Sequence, residues 1–154
     1  MKLRLVFFLL MMMSYASFAQ SNNVGYDFTV GQGKFSDWGK YGYLIVPLTF
    51  TNNTNQTLQY YSYSCSWWDC YKLDCKDLIW NPSYPCPTNA PVLLTLAPHQ
   101  KFETKLELKI THKVKSFKYK IGFNLITDKA KLNLAQLKAH KPNILWSNVI
   151  QMTI

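Results

Sequence analysis

The sequence predicts an all-β fold, an antiparallel sandwich of about seven or eight strands with a disulfide-stapled loop and one short helix. Three observations carry it: long stretches in which apolar residues occupy every second position, turn residues separating those stretches, and four cysteines gathered within 22 residues of a 154-residue chain. A two-residue period is the mark of a strand with one buried face.

The clearest period lies in residues 101–111, where Phe102, Thr104, Leu106, Leu108 and Ile110 alternate with Lys101, Glu103, Lys105, Glu107 and Lys109. After a polar turn at 113–116 the alternation resumes in Phe117, Tyr119, Ile121, Phe123 and Leu125, so the two runs read as a hairpin. Residues 43–51 place Leu44, Val46, Leu48 and Phe50 on one face, and Pro47 on the other marks an edge or a bulge. The turn Asn52-Asn53-Thr54-Asn55-Gln56 leads into the aromatic run 57–67, a second expected hairpin. The two glycosylation triplets inside it are read as an ordinary turn. Shorter strands are expected at 26–30, 78–80, 92–96 and 145–153. Only residues 129–139 are helix-capable, ended by Pro142.

The first twenty residues have a different character. Lys2 and Arg4 precede an apolar run from Leu5 to Met13, and Ser17-Phe18-Ala19 offers small residues for a cut after Ala19. This is the pattern of a secretory signal peptide, too short to span a bilayer, and no cysteine follows the cut. The expected organisation is therefore a cleaved leader, residues 1–19, and one domain, residues 20–154, exported to the periplasm or the medium. The domain carries 15 lysines against 8 acids, a net charge of +7, and no arginine. Without arginine, and outside the cell, nucleic acid is a poor partner. No membrane span is expected.

Cys65, Cys70, Cys75 and Cys86 are even in number and in an exported context, which argues for disulfides. Three pairings are possible. Cys65 with Cys86 and Cys70 with Cys75 is the expected one, the inner bridge closing a tight turn and the outer one tying back a long, proline-rich connection. The spacing does not suit zinc, so no metal or cofactor is expected.

The three histidines share no spacing, and no nucleophile elbow, metalloprotease helix or phosphate loop occurs. The chain is therefore expected to be no enzyme; a small hydrolase built on His99 or His112 with a loop aspartate is the reading left against that. The aromatic density points elsewhere. Trp67, Trp68, Tyr71, Trp80 and Tyr84 crowd around the cysteines. Strand alternation cannot bury both Trp67 and Trp68. Either an indole is left outside as a platform for a protein or a sugar ring, or the loop folds back over these rings as a satellite core. A second candidate is basic: Lys109, His112, Lys113, Lys115, Lys118 and Lys120 gather at the end of the expected 101–125 hairpin. Such a patch attracts anionic surfaces weakly and loses them as salt rises.

The run Val46-Pro47-Leu48-Thr49-Phe50-Thr51-Asn52-Asn53-Thr54-Asn55-Gln56-Thr57-Leu58, followed by Leu96-Ala97-Pro98-His99-Gln100 and a strand to Ile110, resembles exported bacterial immunoglobulin-like domains. In these a hydrophobic strand ends in an Asn/Thr turn and a later Leu-x-Pro turn opens another strand. It is also similar to the intracellular proteinase inhibitor family, which sets a tryptophan between the two elements, as Trp80 stands here. The resemblance implies an immunoglobulin-like sandwich and transfers no functional residue. Together these readings give a non-enzymatic exported module that binds a protein through its aromatic Cys-rich loop. A carbohydrate-binding module is the first alternative and a protease-inhibitor-like domain the second.

Overall fold

The computed structural model describes residues 25–81, 88–129 and 143–154. The expected leader, Tyr84, Cys86 and nearly all of the expected helix at 129–139 lie outside these residues. The described chain is β throughout, in the order β1 (Tyr26–Val30), β2 (Lys34–Ser36), β3 (Tyr43–Asn52), β4 (Leu58–Tyr63), a 3-10 helix (Trp67–Cys70), β5 (Tyr71–Asp74), β6 (Leu78–Trp80), β7 (Pro91–Leu96), β8 (Lys101–Ile110), β9 (Ser116–Asn124), β10 (Ile144–Trp146) and β11 (Ile150–Thr153). No helix among the described residues is long and apolar enough to cross a membrane.

The strands form two layers. In the first the order is β1-β3-β8-β6, with β2 beside β3 further along. In the second β9 is central, with β5 on one side and β10 then β11 on the other. The antiparallel pair β4–β7 joins this second layer through an antiparallel bridge between Tyr61 and Ile126, where the Tyr61 N–H donates to the Ile126 carbonyl at 2.7 Å.

The two-residue period decides which side chains meet between the layers. Leu44, Val46, Leu48 and Phe50 of β3 and Leu106, Leu108 and Ile110 of β8 face Phe117, Tyr119, Ile121 and Phe123 of β9, all of them buried. At the centre the Phe123 ring lies 4.9 Å from Phe50, 5.1 Å from Tyr71, 5.7 Å from Phe28 and 5.9 Å from Tyr60, centroid to centroid. Burying each such side chain stabilises the fold by about 1.5–3 kcal/mol. These rings come from five strands in both layers.

Both expected hairpins are corrected by this arrangement. β8 pairs with β3 and β6, and β9 with β5, β10 and β11, so residues 101–125 cross from one layer to the other. β3 and β4 likewise part at the Asn52 corner. Alternation defines a buried face, and facing layers satisfy it as fully as a hairpin does. The Asn52 side chain, fully buried, holds the crossing in place. Its Nδ2 donates to the carbonyls of Gln56 (2.8 Å), Leu96 (3.1 Å) and Ala97 (3.1 Å), and its Oδ1 accepts from the Thr54 N–H (3.0 Å) and hydroxyl (2.7 Å). The amide is thus engaged on every side.

Strand number exceeds expectation because β2 and β5 were not expected and a single extra residue breaks the expected 145–153 run into β10 and β11. Val30 pairs with Leu48 but Lys34 with Ile45, so three residues, 31–33, oppose two. Pro47 stands opposite this bulge, its carbonyl accepting the Gly31 N–H at 2.9 Å, while β3 itself is interior. A proline is tolerated where no ladder donor is needed. In the same way residues 147–149 oppose two residues of β9. There the Ser147 hydroxyl takes the Ile121 N–H at 3.1 Å, in place of a ladder carbonyl.

Candidate functional site

The 57–67 run stops being a strand at Tyr63. Trp67 and Trp68 belong to one turn of 3-10 helix, both half-buried, so a helical turn replaces the strand alternation that was expected to force one indole outward. Their rings meet edge to face at 6.1 Å, and Trp67 meets Tyr71 in the same way at 5.9 Å. Trp80, at the end of β6, completes an indole cleft of about 260 Å3 whose other walls are Asn81 and the β8 residues Lys105, Leu106 and Glu107. Three of the five expected aromatic residues therefore converge on one cleft. Tyr71 does not join them at the surface: its ring is buried against Phe28 and Phe123, and burial pushes its phenol well above the ordinary range. The alternation of β5, which pairs with β9, turns that position inward. Tyr84 lies outside the described residues.

On the far side of Trp67 is a second depression, of about 500 Å3. Val92 and Leu94 of β7 and Phe102 and Thr104 of β8 form its walls, with Tyr60 and Phe123 beneath. Val92 and Phe102 are exposed apolar residues in its lining. Sequence reasoning missed this groove because Phe102 and the 92–96 run read as ordinary buried strand positions. The signal available was Pro91-Val92-Leu93-Leu94, where consecutive apolar residues break alternation and must leave one side chain outside.

The cysteines divide differently from expectation. Cys70 and Cys75 are free thiols, which overturns the Cys70–Cys75 bridge. The residues between them form β5, an extended strand, and five extended residues span about 16 Å where a disulfide needs less than about 7 Å between Cα atoms. Cys70 is buried with its Sγ 3.8 Å from the Ser62 hydroxyl. Burial pushes its thiol up, Asp69 adds to the rise, and the contacts to Ser62 and to the Tyr63 backbone offset part of it. Cys75, half-buried, is raised for the same leading reason, with backbone groups of Asp77 and Leu78 offsetting part. Cys86, the expected partner of Cys65, lies outside the described residues.

The basic residues do not form one patch. Lys109 stands on the outer face of the first layer, across from Tyr43 and Ile79, whereas Lys118 and Lys120 stand on the outer face of the second, across from Gln151 and Asp74. Lys113 and Lys115 are exposed on the crossing between them. Lys120 is engaged twice, with its Nζ 3.3 Å from Asp74 Oδ2 and 4.7 Å from the centre of the Trp146 ring. His112 bridges Asp77 Oδ1 at 3.3 Å and the Thr111 hydroxyl at 2.8 Å, and it borders neither cleft. His99 contacts Asn55 at 2.9 Å. Among the described residues no group of three or more His, Cys, Asp or Glu is placed to hold a metal ion.

No family model and no curated protein matches this chain.

Proposed function

We propose that this protein is an exported, non-enzymatic binding module of the immunoglobulin-like type that engages a protein partner through the indole cleft. The single observation that carries the reading is the convergence of Trp67, Trp68 and Trp80, from two elements, on a cleft beside the outer strand face of β8. Tryptophan supplies large contact area at low entropic cost and dominates protein interfaces out of proportion to its abundance. The immunoglobulin-like type is supported by strand order. β1-β3-β8-β6 follows the A-B-E-D order of that sandwich, and β5-β9 with β10 and β11 follows C-F-G. Export is supported by the leader-like first nineteen residues.

The test is capture of a partner from an envelope and secretome extract at moderate salt by the oxidised domain 20–154. Trp68→Ala is expected to lose the captured protein, while Trp38→Ala, an exposed indole remote in sequence from the cleft, is expected to keep it. Retention by both variants overturns the cleft as the binding site.

A carbohydrate ligand is the second reading, favoured by the polar groups of Asn81 and Lys105 set beside the indoles. A shift of tryptophan fluorescence on titrating neutral and acidic glycans, abolished in Trp68→Ala, would move the assignment to it.

A further inference from the structure

One end of the sandwich is tied together by backbone hydrogen bonds between three connections and their neighbours. Gly42, in the turn 37–42 between β2 and β3, offers its carbonyl to the Ile110 N–H at 3.1 Å, Asp77, between β5 and β6, offers its own to the Thr111 N–H at 3.0 Å, and Lys115, just before β9, receives the Ile154 N–H at 2.9 Å. The described chain enters its undescribed stretches elsewhere. It does so at the opposite end before β1 and between β9 and β10, where Tyr26 pairs with Asn52 and Ile144 with Asn124. It does so again at Asn81, a wall of the indole cleft, and at Thr88, next to the contact of Asn89 with Ser66.

Trp38 projects from the first of these connections. It is 75% exposed, its ring touches Tyr43 with centroids 6.0 Å apart, and it lines neither cleft. The turn that carries it is braced. Gly42 has a φ of 89°, and a Cβ there would stand 2.7 Å from the Ser36 carbonyl oxygen, so the backbone holds a conformation that glycine alone adopts freely. On the same end Lys40, Lys76, Lys113 and Lys115 are exposed, and none makes an ion pair among the described residues. Lys34, Lys109 and Lys118 flank it on the outer sheet faces. The acids there are fewer. Asp37 is exposed in the turn, Glu107 is half-buried on the outer face of β8, Asp77 is engaged by His112 and Asp74 by Lys120, and the α-carboxylate of Ile154 completes the set.

A protruding indole with unpaired lysines around it has the chemistry of the membrane–water interface. Tryptophan settles at headgroup level, with its ring toward the acyl chains and its N–H toward water, and lysine lays its stem on apolar surface while its ammonium meets lipid phosphate. We propose that this end docks on the surface of an anionic phospholipid bilayer, with Trp38 seated among the headgroups and Lys40, Lys76, Lys113 and Lys115 against their phosphates. The contact is peripheral. One chain and one aromatic anchor give little affinity alone, and the lysines supply the second attraction that peripheral binding needs. The inference goes beyond a protein partner and stands apart from the indole cleft.

The probe is sedimentation of the domain 20–154 with vesicles of phosphatidylcholine containing about 30% phosphatidylglycerol, at low salt. Binding is expected to be at least about tenfold tighter than to phosphatidylcholine alone, and bromine-labelled acyl chains are expected to quench tryptophan emission. Trp38→Ala should remove that quenching and weaken binding about tenfold, and Lys40→Gln or Lys113→Gln should each weaken it about fivefold. Lys129→Gln, at the opposite end, should leave it unaltered. No sedimentation at low salt, equal binding to uncharged vesicles, or quenching that survives Trp38→Ala overturns the proposal. So does equally tight binding to soluble polyglutamate, which would assign the lysines to an acidic polymer. Trp68→Ala is expected to keep the vesicles, whatever it does to a captured protein; if it releases them and Trp38→Ala does not, the lipid contact belongs to the indole cleft and this end is rejected.

Discussion

A single amide at position 52 shows how much of this fold depends on polar groups placed where apolar ones would fail. Asn52 is wholly buried at the corner where β3 leaves the first layer, and its side chain makes five hydrogen bonds, to three carbonyls and two Thr54 groups. Those three acceptors lie on two segments of chain: Gln56 in the turn before β4, and Leu96 and Ala97 at the end of β7. An aspartate cannot donate to them, and an alanine leaves them without a partner. The asymmetry between a made hydrogen bond and a missing one makes such a loss expensive. Asn52→Ala is expected to lower the unfolding free energy by about 3 kcal/mol, read as a lower midpoint in urea with the slope unchanged. Loss of less than about 0.5 kcal/mol would mean that water replaces the amide and that the corner is held by the strands alone.

At the scale of elements, β9 is the strand on which the second layer is built, and Gly122 is its point of closest approach. A Cβ added there would stand 2.5 Å from Ile144 Cγ2 and 3.0 Å from Trp146 Cε3, because β10 lays its side chains directly over the glycine. Alanine in a strand is otherwise favoured over glycine by about 0.5–1 kcal/mol, so the sign of the substitution reports which effect wins. The clash involves a branched side chain beside the backbone of the neighbouring strand, and overpacking of this kind costs about 1–3 kcal/mol. Gly122→Ala is therefore expected to destabilise the protein and to shift the Trp146 emission to the red as the indole lifts from the sheet; a stabilised variant would show that β10 sits loosely. Elements were also where the sequence was most and least legible. β1 at 26–30 and β6 at 78–80 stand where alternation and turn residues place them, and β8 and β9 fall within a residue of expectation. Pairing was not legible, since the same alternation serves a hairpin and a crossing between layers. Nor were the bulges at 31–33 and 147–149, which depend on one residue too many opposite a partner strand that local sequence does not name. The indole cleft was half legible: crowding of Trp67, Trp68 and Trp80 was visible, but β5 was missed because its four residues, Tyr71–Asp74, are too short for a period to show, and with it went the inward turn of Tyr71.

For the whole molecule, the layers share a core in which phenols and a thiol are shut away from water, and this gives its stability a pH dependence on the alkaline side. Burial raises Tyr60, Tyr63 and Tyr71 above the ordinary phenol value of 10.0 and Cys70 above the thiol value of 9.0. Tyr119 is pushed up to about 12, its buried hydroxyl lacking a hydrogen-bond partner while the nearby Gly33 backbone offsets part of the rise. In each case the folded state holds its proton more tightly than the unfolded chain does. The stabilising contribution is complete below the unfolded values, so nothing is lost up to about pH 9, where the unfolded Cys70 begins to release its proton. From there to about pH 10 the slope is that of the two raised thiols, Cys70 and Cys75, and above pH 10 the unfolded phenols add to it, with the loss for Tyr119 continuing toward pH 12. Urea unfolding followed from pH 7 to pH 11 is expected to show a flat region and then a fall that steepens past pH 10. Cys70→Ser should reduce the first part of the fall, between about pH 9 and pH 10, to what the half-buried Cys75 contributes, while leaving the steeper part in place. A fall that begins below pH 8, or one that Cys70→Ser does not reduce between about pH 9 and pH 10, would mean that these groups are open to water and that the two layers do not enclose a common core.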